Sequence, residues 1–176
     1  SSESIIAALK AFGFQWDGPI RWQSEREQHY QAAIAYLRNQ SLAYPCRCSR
    51  RQIEKTARHG VEGLVYPGTC REWSGAGAEQ AAIRMLTKNV QVTATDRIAG
   101  DITQNLEADI GDFIIFRADG ITAYQLAVVV DDFLDNVTHV VRGAALVLST
   151  PRQVYLQNKL NYPVLQYAHV PLVRDT

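Results

Sequence analysis

Between residues 44 and 77 the chain loses regular hydrophobic periodicity, and this one segment carries every cysteine of the protein, Cys46, Cys48 and Cys70, with Pro45, Pro67 and several glycines. An irregular stretch of that length inside a compact domain usually needs a function or a metal to hold it. The Cys46-Arg47-Cys48 step puts two thiols within reach of one ion, and Cys70 returns to them after a loop. Thiolates are soft, anionic ligands that suit Zn²⁺, and tetrahedral coordination would tie such a loop down in place of a hydrophobic core. Two residues between the cysteines offer a fourth ligand, His59 and Tyr66. Spacing alone favours His59, because histidine is by far the commoner zinc ligand. The competing reading is three small buried residues with no metal at all.

The rest of the sequence must supply an ordinary core, and 47% hydrophobic residues in a chain of 176 suffice for one domain. Eighteen Lys and Arg balance eighteen Asp and Glu, so no long-range field draws in nucleic acid or an anionic membrane. A polyanion would have to be met locally. Arg47, Arg50 and Arg51, with Arg58 and Arg71 further along, form the one candidate patch, and a solvated Arg-rich loop explains them equally well. The chain shows no apolar leader and no run long enough to span a bilayer, so a cytoplasmic location is the default expectation. In that reducing compartment close cysteines are metal ligands or catalytic groups more often than disulfide partners.

Periodicity places the elements around the cysteine segment. Ile5, Ile6, Leu9 and Phe12 recur at helical spacing and stop at Gly13, which predicts a short amphipathic helix over 2–12. Ser24 and Glu27 read as a capping box for a second helix, whose burying face is Tyr30, Ala33, Ile34 and Leu37 and which ends near Asn39. Strands are expected over 82–86, 90–95 and 112–117, with a turn at Asp119-Gly120. A very apolar helix follows over 123–133, then a buried strand over 137–141. Ser149-Thr150-Pro151 opens a helix that runs to about Leu160, and residues 167–173 read as a final strand. Alternation of strand and helix in this half predicts parallel α/β architecture.

Several runs are familiar together. Pro45-Cys46-Arg47-Cys48 and Tyr66-Pro67-Gly68-Thr69-Cys70-Arg71 resemble the zinc-binding segment of glutamyl-queuosine tRNA(Asp) synthetases, truncated relatives of glutamyl-tRNA synthetase. The likeness continues through Asp112-Phe113-Ile114-Ile115, Arg117-Ala118-Asp119-Gly120, the run from Ala123 through Tyr124 and Val128 to Asp132, Val137 to Gly143, and Ser149-Thr150-Pro151-Arg152-Gln153. It covers nearly the whole chain, from Trp16-Asp17-Gly18 to His169-Val170-Pro171-Leu172. Four residues after Tyr124, discriminating glutamyl-tRNA synthetases usually place a polar residue such as Asn, whereas this chain has Val128, as the queuosine-modifying branch does.

The resemblance implies a class I aminoacyl-tRNA synthetase catalytic domain of the Rossmann type, interrupted by a zinc-carrying insertion. On that reading residues 1–43 are the helical N-terminal part, 44–111 the zinc-binding insertion and 112–176 the C-terminal half of the Rossmann-type domain. The metal ligands become Cys46, Cys48, Tyr66 and Cys70, with Tyr66 in place of His59. Glutamate would be activated with ATP and transferred to the queuosine base of tRNA(Asp), with Tyr124 and Arg142 binding the amino acid. A guanidinium suits a bidentate carboxylate pair, and a phenol can hydrogen-bond the same substrate. Asp131 and Asp132 are adjacent on a helix and point about 100° apart, so they read as polar helix-end groups, not an acid/base couple.

The chain also departs from the family. Neither the His-x-Gly-His-like nor the Lys-x-Ser-Lys-like ATP signature is present, nor an Arg-Ile-Glu-Asp-like run, so the expectation is a fragment with no catalytic residue of its own and no adenylation activity alone. Ala145 stands where an Arg-Gly-x-Asp pattern has its acid, which puts nucleotide handling in doubt. Two alternatives compete with this reading: a fragment of a discriminating glutamyl-tRNA synthetase, and a non-catalytic, zinc-stabilised RNA-binding module using Arg47, Arg50 and Arg51. Neither a membrane nor an obligate protein partner is implied.

Overall fold

The structure is a computed structural model that describes residues 2–76 and 80–173; Ser1, Gly77 at the far end of the irregular segment, and the terminus at Asp175-Thr176 lie outside the described residues. Helix α1 (Ser2–Ala11) forms where its periodicity predicts and is capped by Gly13 at φ +80°, yet it buries no residue. Helix α2 (Glu27–Asn39) buries Tyr30, Ala33, Ile34 and Leu37, the face expected of it. Its start differs from expectation. Ser24 belongs to a 3₁₀ turn, Gln23–Glu25, and the residue at the N-cap is Arg26, with no side-chain cap. Arg26 instead reaches across to the C-terminal end of a later helix, pairing with Asp131 at 3.0 Å and with Asp135. Tyr30 donates to the same Asp131 at 2.7 Å, so a tertiary clamp has displaced the local cap.

The segment read as irregular contains short elements: strand β1 (Ala43–Cys46), helix α3 (Arg50–Glu54) and a hairpin of β2 (Arg58–Gly60) with β3 (Gly63–Val65). The capping box lies here, Ser49 accepting from the Gln52 backbone N–H while the Gln52 side chain accepts from the Ser49 N–H. Strand β4 (Ala82–Met85) pairs antiparallel with β1, and β7 (Ile114–Phe116) pairs antiparallel with β4 on its other side.

A four-stranded sheet follows. Strand β5 (Gln91–Asp96) alternates exposed and buried residues and forms a hairpin with β6 (Gly100–Asn105), which the polar sequence Gly-Asp-Ile-Thr-Gln-Asn does not announce. After the short helix α4 (Leu106–Asp109) and β7 come α5 (Tyr124–Leu134), β8 (His139–Gly143), α6 (Thr150–Leu160) and β9 (Gln166–Val170). Strands β8 and β9 are parallel with α6 between them in sequence, β9 also runs parallel to β5, and the sheet order is β6-β5-β9-β8. The β8-α6-β9 unit is the parallel α/β arrangement that the alternation predicts, whereas β6 is antiparallel to β5 and β7 lies antiparallel to β4 in a separate sheet. The strand expected to be buried is not: β8 lies at the sheet edge, and Val141 is 69% exposed. Apolar β-branched residues alone do not separate an edge strand from a central one.

One core unites these parts. Leu37, Met85, Leu106, Ile115, Leu126 and Leu156 are fully buried, with α2, α5 and α6 packed on one another and on the strands. Burying a Leu side chain contributes about 1.5–3 kcal/mol. The cysteines and Tyr66 belong to a second, smaller cluster with Tyr44, which β1 and β4 join to the main core.

Candidate metal centre and substrate pocket

Strand β1 delivers Cys46 at its last residue, the chain then turns before the Ser49 cap to expose Cys48 to the same point, and Cys70 arrives from the loop after β3. The three Sγ atoms lie within 4.8 Å of one another. The Tyr66 phenol oxygen sits among them, 3.4 Å from Cys46 Sγ, 3.4 Å from Cys48 Sγ, and accepting from the Cys70 backbone N–H at 3.0 Å. Cys48 and Cys70 are 3.5 Å apart, and Cys46, Tyr66 and Cys70 are all at most 4% exposed. A tetrahedral zinc spaces sulfur ligands about 3.8 Å apart, given bonds of about 2.3 Å, so three thiols and a phenol at these distances fit the edges of one coordination tetrahedron. These residues could hold a metal ion. His59, favoured by spacing alone, is exposed on β2 opposite Leu64 and is not among the grouped ligand atoms.

Electrostatics at the cluster reflect its burial. Tyr66 is pushed up first by desolvation and then by its hydrogen bonds with the thiols, and burial likewise raises Cys48. Burial would raise Cys70 too, but hydrogen bonds from Tyr66, the Arg47 backbone N–H and the other two cysteines together bring it down to about 7. A thiol held as Cys70 is surrenders its proton to a metal more readily than an ordinary cysteine.

The loop is tied to the core by a carboxylate that sequence reasoning passed over. Asp112 is fully buried and accepts from Arg71 Nε at 2.7 Å and Nη2 at 3.1 Å, from the Thr87 N–H at 2.8 Å and hydroxyl at 2.9 Å, and from the Tyr44 phenol. Arg71 directly follows Cys70 and also pairs with Glu107 at 2.9 Å. Gly111, just before this aspartate, has φ +76°, and a Cβ there would stand 2.6 Å from the Tyr66 backbone N. Gly111→Ala is therefore expected to cost about 1–3 kcal/mol from the left-handed backbone alone, and more through displacement of Tyr66. A urea midpoint unchanged from wild type would rule this out.

Arg142 lies on β8, half-buried, and is held by protein groups on two of its three nitrogens. Its Nε donates to His169 Nε2 at 2.9 Å, and Nη2 donates to the Thr150 hydroxyl at 3.0 Å and towards the Leu146 carbonyl at 3.4 Å. Since a guanidinium only donates, His169 Nε2 must accept, which leaves the proton on Nδ1 to be donated to Asp96 Oδ2 at 2.6 Å. Both members of that pair are completely buried. Burial would raise Asp96, but hydrogen bonds from the Ala99 N–H, His169 and the Ile98 N–H hold it far below the usual carboxylate range. Only Nη1 of Arg142 has no partner among the described residues.

Tyr124 opens α5 and is 48% exposed. Tyr167 is in electrostatic reach of both: burial pushes its phenol up to about 12, Arg142 opposes this, and Asp132 and Tyr124 add to it. Asp131 is the helix-end group expected, bound by Arg26, Tyr30 and Gln23. Asp132 differs from it, being pushed up to about 6 by burial and then by the Asp131 charge. Ala145 falls in the 3₁₀ segment Ala144–Ser149 that follows β8. The arginine patch is dispersed: Arg47 stacks at 4.9 Å over Trp73, Arg50 pairs with Glu54, and Arg71 is spent on the buried Asp112 and the half-buried Glu107.

The description "tRNA synthetases class I (E and Q), catalytic domain" matches residues 1–176. The chain is 48% identical over 171 residues to the Glutamyl-Q tRNA(Asp) synthetase of Thiobacillus denitrificans, covering 97% of this chain and 57% of that protein. It is 47% identical over 177 residues to the enzyme of the same name from Dechloromonas aromatica, covering 99% of this chain and 59% of that one. The chain thus spans under two thirds of the length of these relatives. Its fold is similar to the crystal structure of a glutamate tRNA ligase from Elizabethkingia meningosepticum in complex with its amino acid, with a TM-score of 0.78 at 20% identity over 98% of this chain and 39% of that one. Among the described residues no helix is long and apolar enough to cross a membrane. Matched from end to end, this chain belongs to the glutamate- and glutamine-specific class I tRNA synthetases, as part of their catalytic domain.

Proposed function

We propose that the chain is part of a glutamyl-queuosine tRNA(Asp) synthetase, an ATP-dependent ligase that activates glutamate and transfers it to the queuosine base of tRNA(Asp) in the cytoplasm. The observation that carries this reading is the 46–48% identity, over nearly the whole chain, to relatives named Glutamyl-Q tRNA(Asp) synthetase. Val128 on α5, in place of the polar residue usual in discriminating glutamyl-tRNA synthetases, favours it over that alternative. Zinc is the metal we assign to Cys46, Cys48, Tyr66 and Cys70, on the chemistry of three thiols and a phenol. We propose three parts, 1–43, 44–111 and 112–176, joined across the second boundary by the pairing of β4 with β7 and of β5 with β9. On this reading the metal has a structural role, and the chain alone, lacking the family's two ATP signatures, forms no glutamyl-adenylate.

Glutamate is assigned to Tyr124 and Arg142. With Nε and Nη2 already committed, Arg142 meets a carboxylate through Nη1 and not through the full two-pronged fork. In the complete enzyme Arg142→Ala should therefore weaken glutamate use by about 1.5–3 kcal/mol, the worth of a charge-assisted hydrogen bond. Tyr124→Phe should cost about 0.5–1.5 kcal/mol, as one neutral hydrogen bond does. Both are read from kcat/KM for glutamate, with zinc content unchanged. The function itself is tested by charging purified tRNAs with labelled glutamate. Label on tRNA(Asp) carrying queuosine, and none on the same tRNA without it, is the expected result; label on tRNA(Glu) instead would establish the discriminating synthetase.

A further inference from the structure

Beside the thiols lies a buried cation with no carboxylate of its own among the described residues. Arg84, on β4, is 6% exposed. Its Nε donates to Cys46 Sγ at 3.2 Å, its Nη1 donates to the Asp112 backbone carbonyl at 2.7 Å, and its guanidinium carbon stands 3.8 Å over the Tyr66 ring. Every other arginine close to the cluster has a different engagement: Arg71 spends its charge on Asp112 and Glu107, and Arg47 is exposed over Trp73. A buried guanidinium left unpaired is expensive, so its counter-charge must be sought among what it touches. Among the described residues its polar and ring contacts are one thiol, one phenol face and one peptide carbonyl.

Charge counting supplies the missing anion. Cysteine ligands to a metal are deprotonated, and three thiolates around a divalent ion leave one net negative charge with Tyr66 as a neutral phenol, and two with it as a phenolate, in a site walled off from water. One guanidinium offsets one of these charges. We propose that Arg84 is the counter-ion and positioning residue of the metal centre: it offsets negative charge on the thiolate-rich complex through Cys46 and, by stacking on Tyr66, fixes the ring so that its oxygen points at the metal position. The inference rests on the metal reading above. It adds a reciprocal requirement, that apo protein carries an uncompensated buried cation and metal binding relieves it.

This reciprocity gives Arg84 a signature that ordinary packing lacks. The chain is prepared as wild type, Arg84→Gln and Arg84→Lys under reducing conditions. Zinc affinity is measured by competition with a chromophoric chelator, and urea stability is measured with zinc and with chelator. Arg84→Gln is expected to lower zinc affinity about 10- to 100-fold, as loss of an outer-shell partner does. Its chelated form should be as stable as chelated wild type or more so. Arg84→Lys, which keeps the charge and a donor for the Asp112 carbonyl but not the planar stack, should recover part of the affinity. Cobalt-loaded samples give a second readout: the tetrahedral bands persist in all three proteins, while the thiolate-to-cobalt charge-transfer band shifts in Arg84→Gln. Equal destabilisation of the zinc-bound and chelated forms by Arg84→Gln, with zinc affinity unchanged, would make Arg84 a packing residue and overturn the proposal. If Gln does not fold, the Lys variant decides: wild-type affinity and an unshifted cobalt band overturn the stacking role, and a loss with a shift supports it. Wild type that binds no zinc overturns the metal reading first and this inference with it.

Discussion

Chain carrying Cys48→Ala should purify without metal and with a loosened loop over 44–76, whereas wild type should retain one zinc per chain. Cys48 Sγ lies 3.4 Å from the Tyr66 oxygen and 3.5 Å from Cys70 Sγ, so its loss removes one corner of the coordination tetrahedron. Among the described residues no further Cys, His or carboxylate joins the three thiols to replace it, and His59 is exposed on the hairpin. The fall in affinity should exceed the about 10- to 100-fold typical of an outer-shell change. The consequence is structural because the cluster is small, with Tyr44, Cys46, Tyr66 and Cys70 as its only buried members among the described residues. Structural zinc in small folds supplies about 10–16 kcal/mol of apparent binding free energy, which four side chains cannot replace. Elemental analysis and limited proteolysis check the two halves of the prediction. Wild type with near-zero zinc and a folded far-UV spectrum would refute it, and loss of metal from His59→Ala would return the fourth ligand to the histidine.

How much of this was legible in the sequence depends on the range of the interaction. The buried face of α2 follows from local periodicity and holds residue for residue, and the apolar middle expected of α5 supplies buried Leu126, Ala127, Val129 and Val130. Cys46 and Cys48 are adjacent but one, so their convergence is nearly local, and Cys70 needs only a hairpin to return. Asp112 is different. Its partners Tyr44, Arg71 and Thr87 lie 68, 41 and 25 residues away, and nothing in the local pattern marks an aspartate before an apolar strand as the hub of a network. The same is true of the Asp96–His169 pair behind Arg142, 73 residues apart, which turns an expected two-pronged arginine into one with a single free nitrogen. Sequence also misplaces a helix start where a tertiary clamp, Arg26 with Asp131 and Asp135, outcompetes the Ser24 cap. A strand that is apolar yet exposed at a sheet edge, β8, is misread for a related reason: burial is a property of the partners.

Asp112 carries the second large effect. Asp112→Ala should lower stability by about 3–5 kcal/mol, because removing one member of a buried ion pair strands the other. Four donor groups lose their acceptor at once: the Arg71 guanidinium, the Tyr44 phenol, and the Thr87 hydroxyl and N–H. Arg71 keeps Glu107 and is partly solvated, which sets the loss below that of a fully isolated charge. Asp112→Asn retains an oxygen for Thr87 but turns an amide towards Arg71, so it should fall between wild type and Ala. The acid limb supplies an independent check. Burial would raise the Asp112 carboxyl, but hydrogen bonds from Arg71, Tyr44 and Thr87 hold it below its ordinary value. A carboxylate whose folded pKa is depressed adds stability that is complete above the unfolded value, about 3.9, and is lost as pH falls through the folded one. Urea midpoints of wild type should therefore drop as the pH is taken below about 4, and those of Asp112→Asn should drop less. They will not become flat, since Asp96 and Glu107 are depressed in the same direction. A steeper acid limb in Asp112→Asn would mean that the carboxylate is strained, not stabilised, by its neighbours. Because Arg71 follows Cys70 directly, the Ala variant should also slacken the loop that presents the third thiol, joining the fate of the metal centre to one buried aspartate in the core.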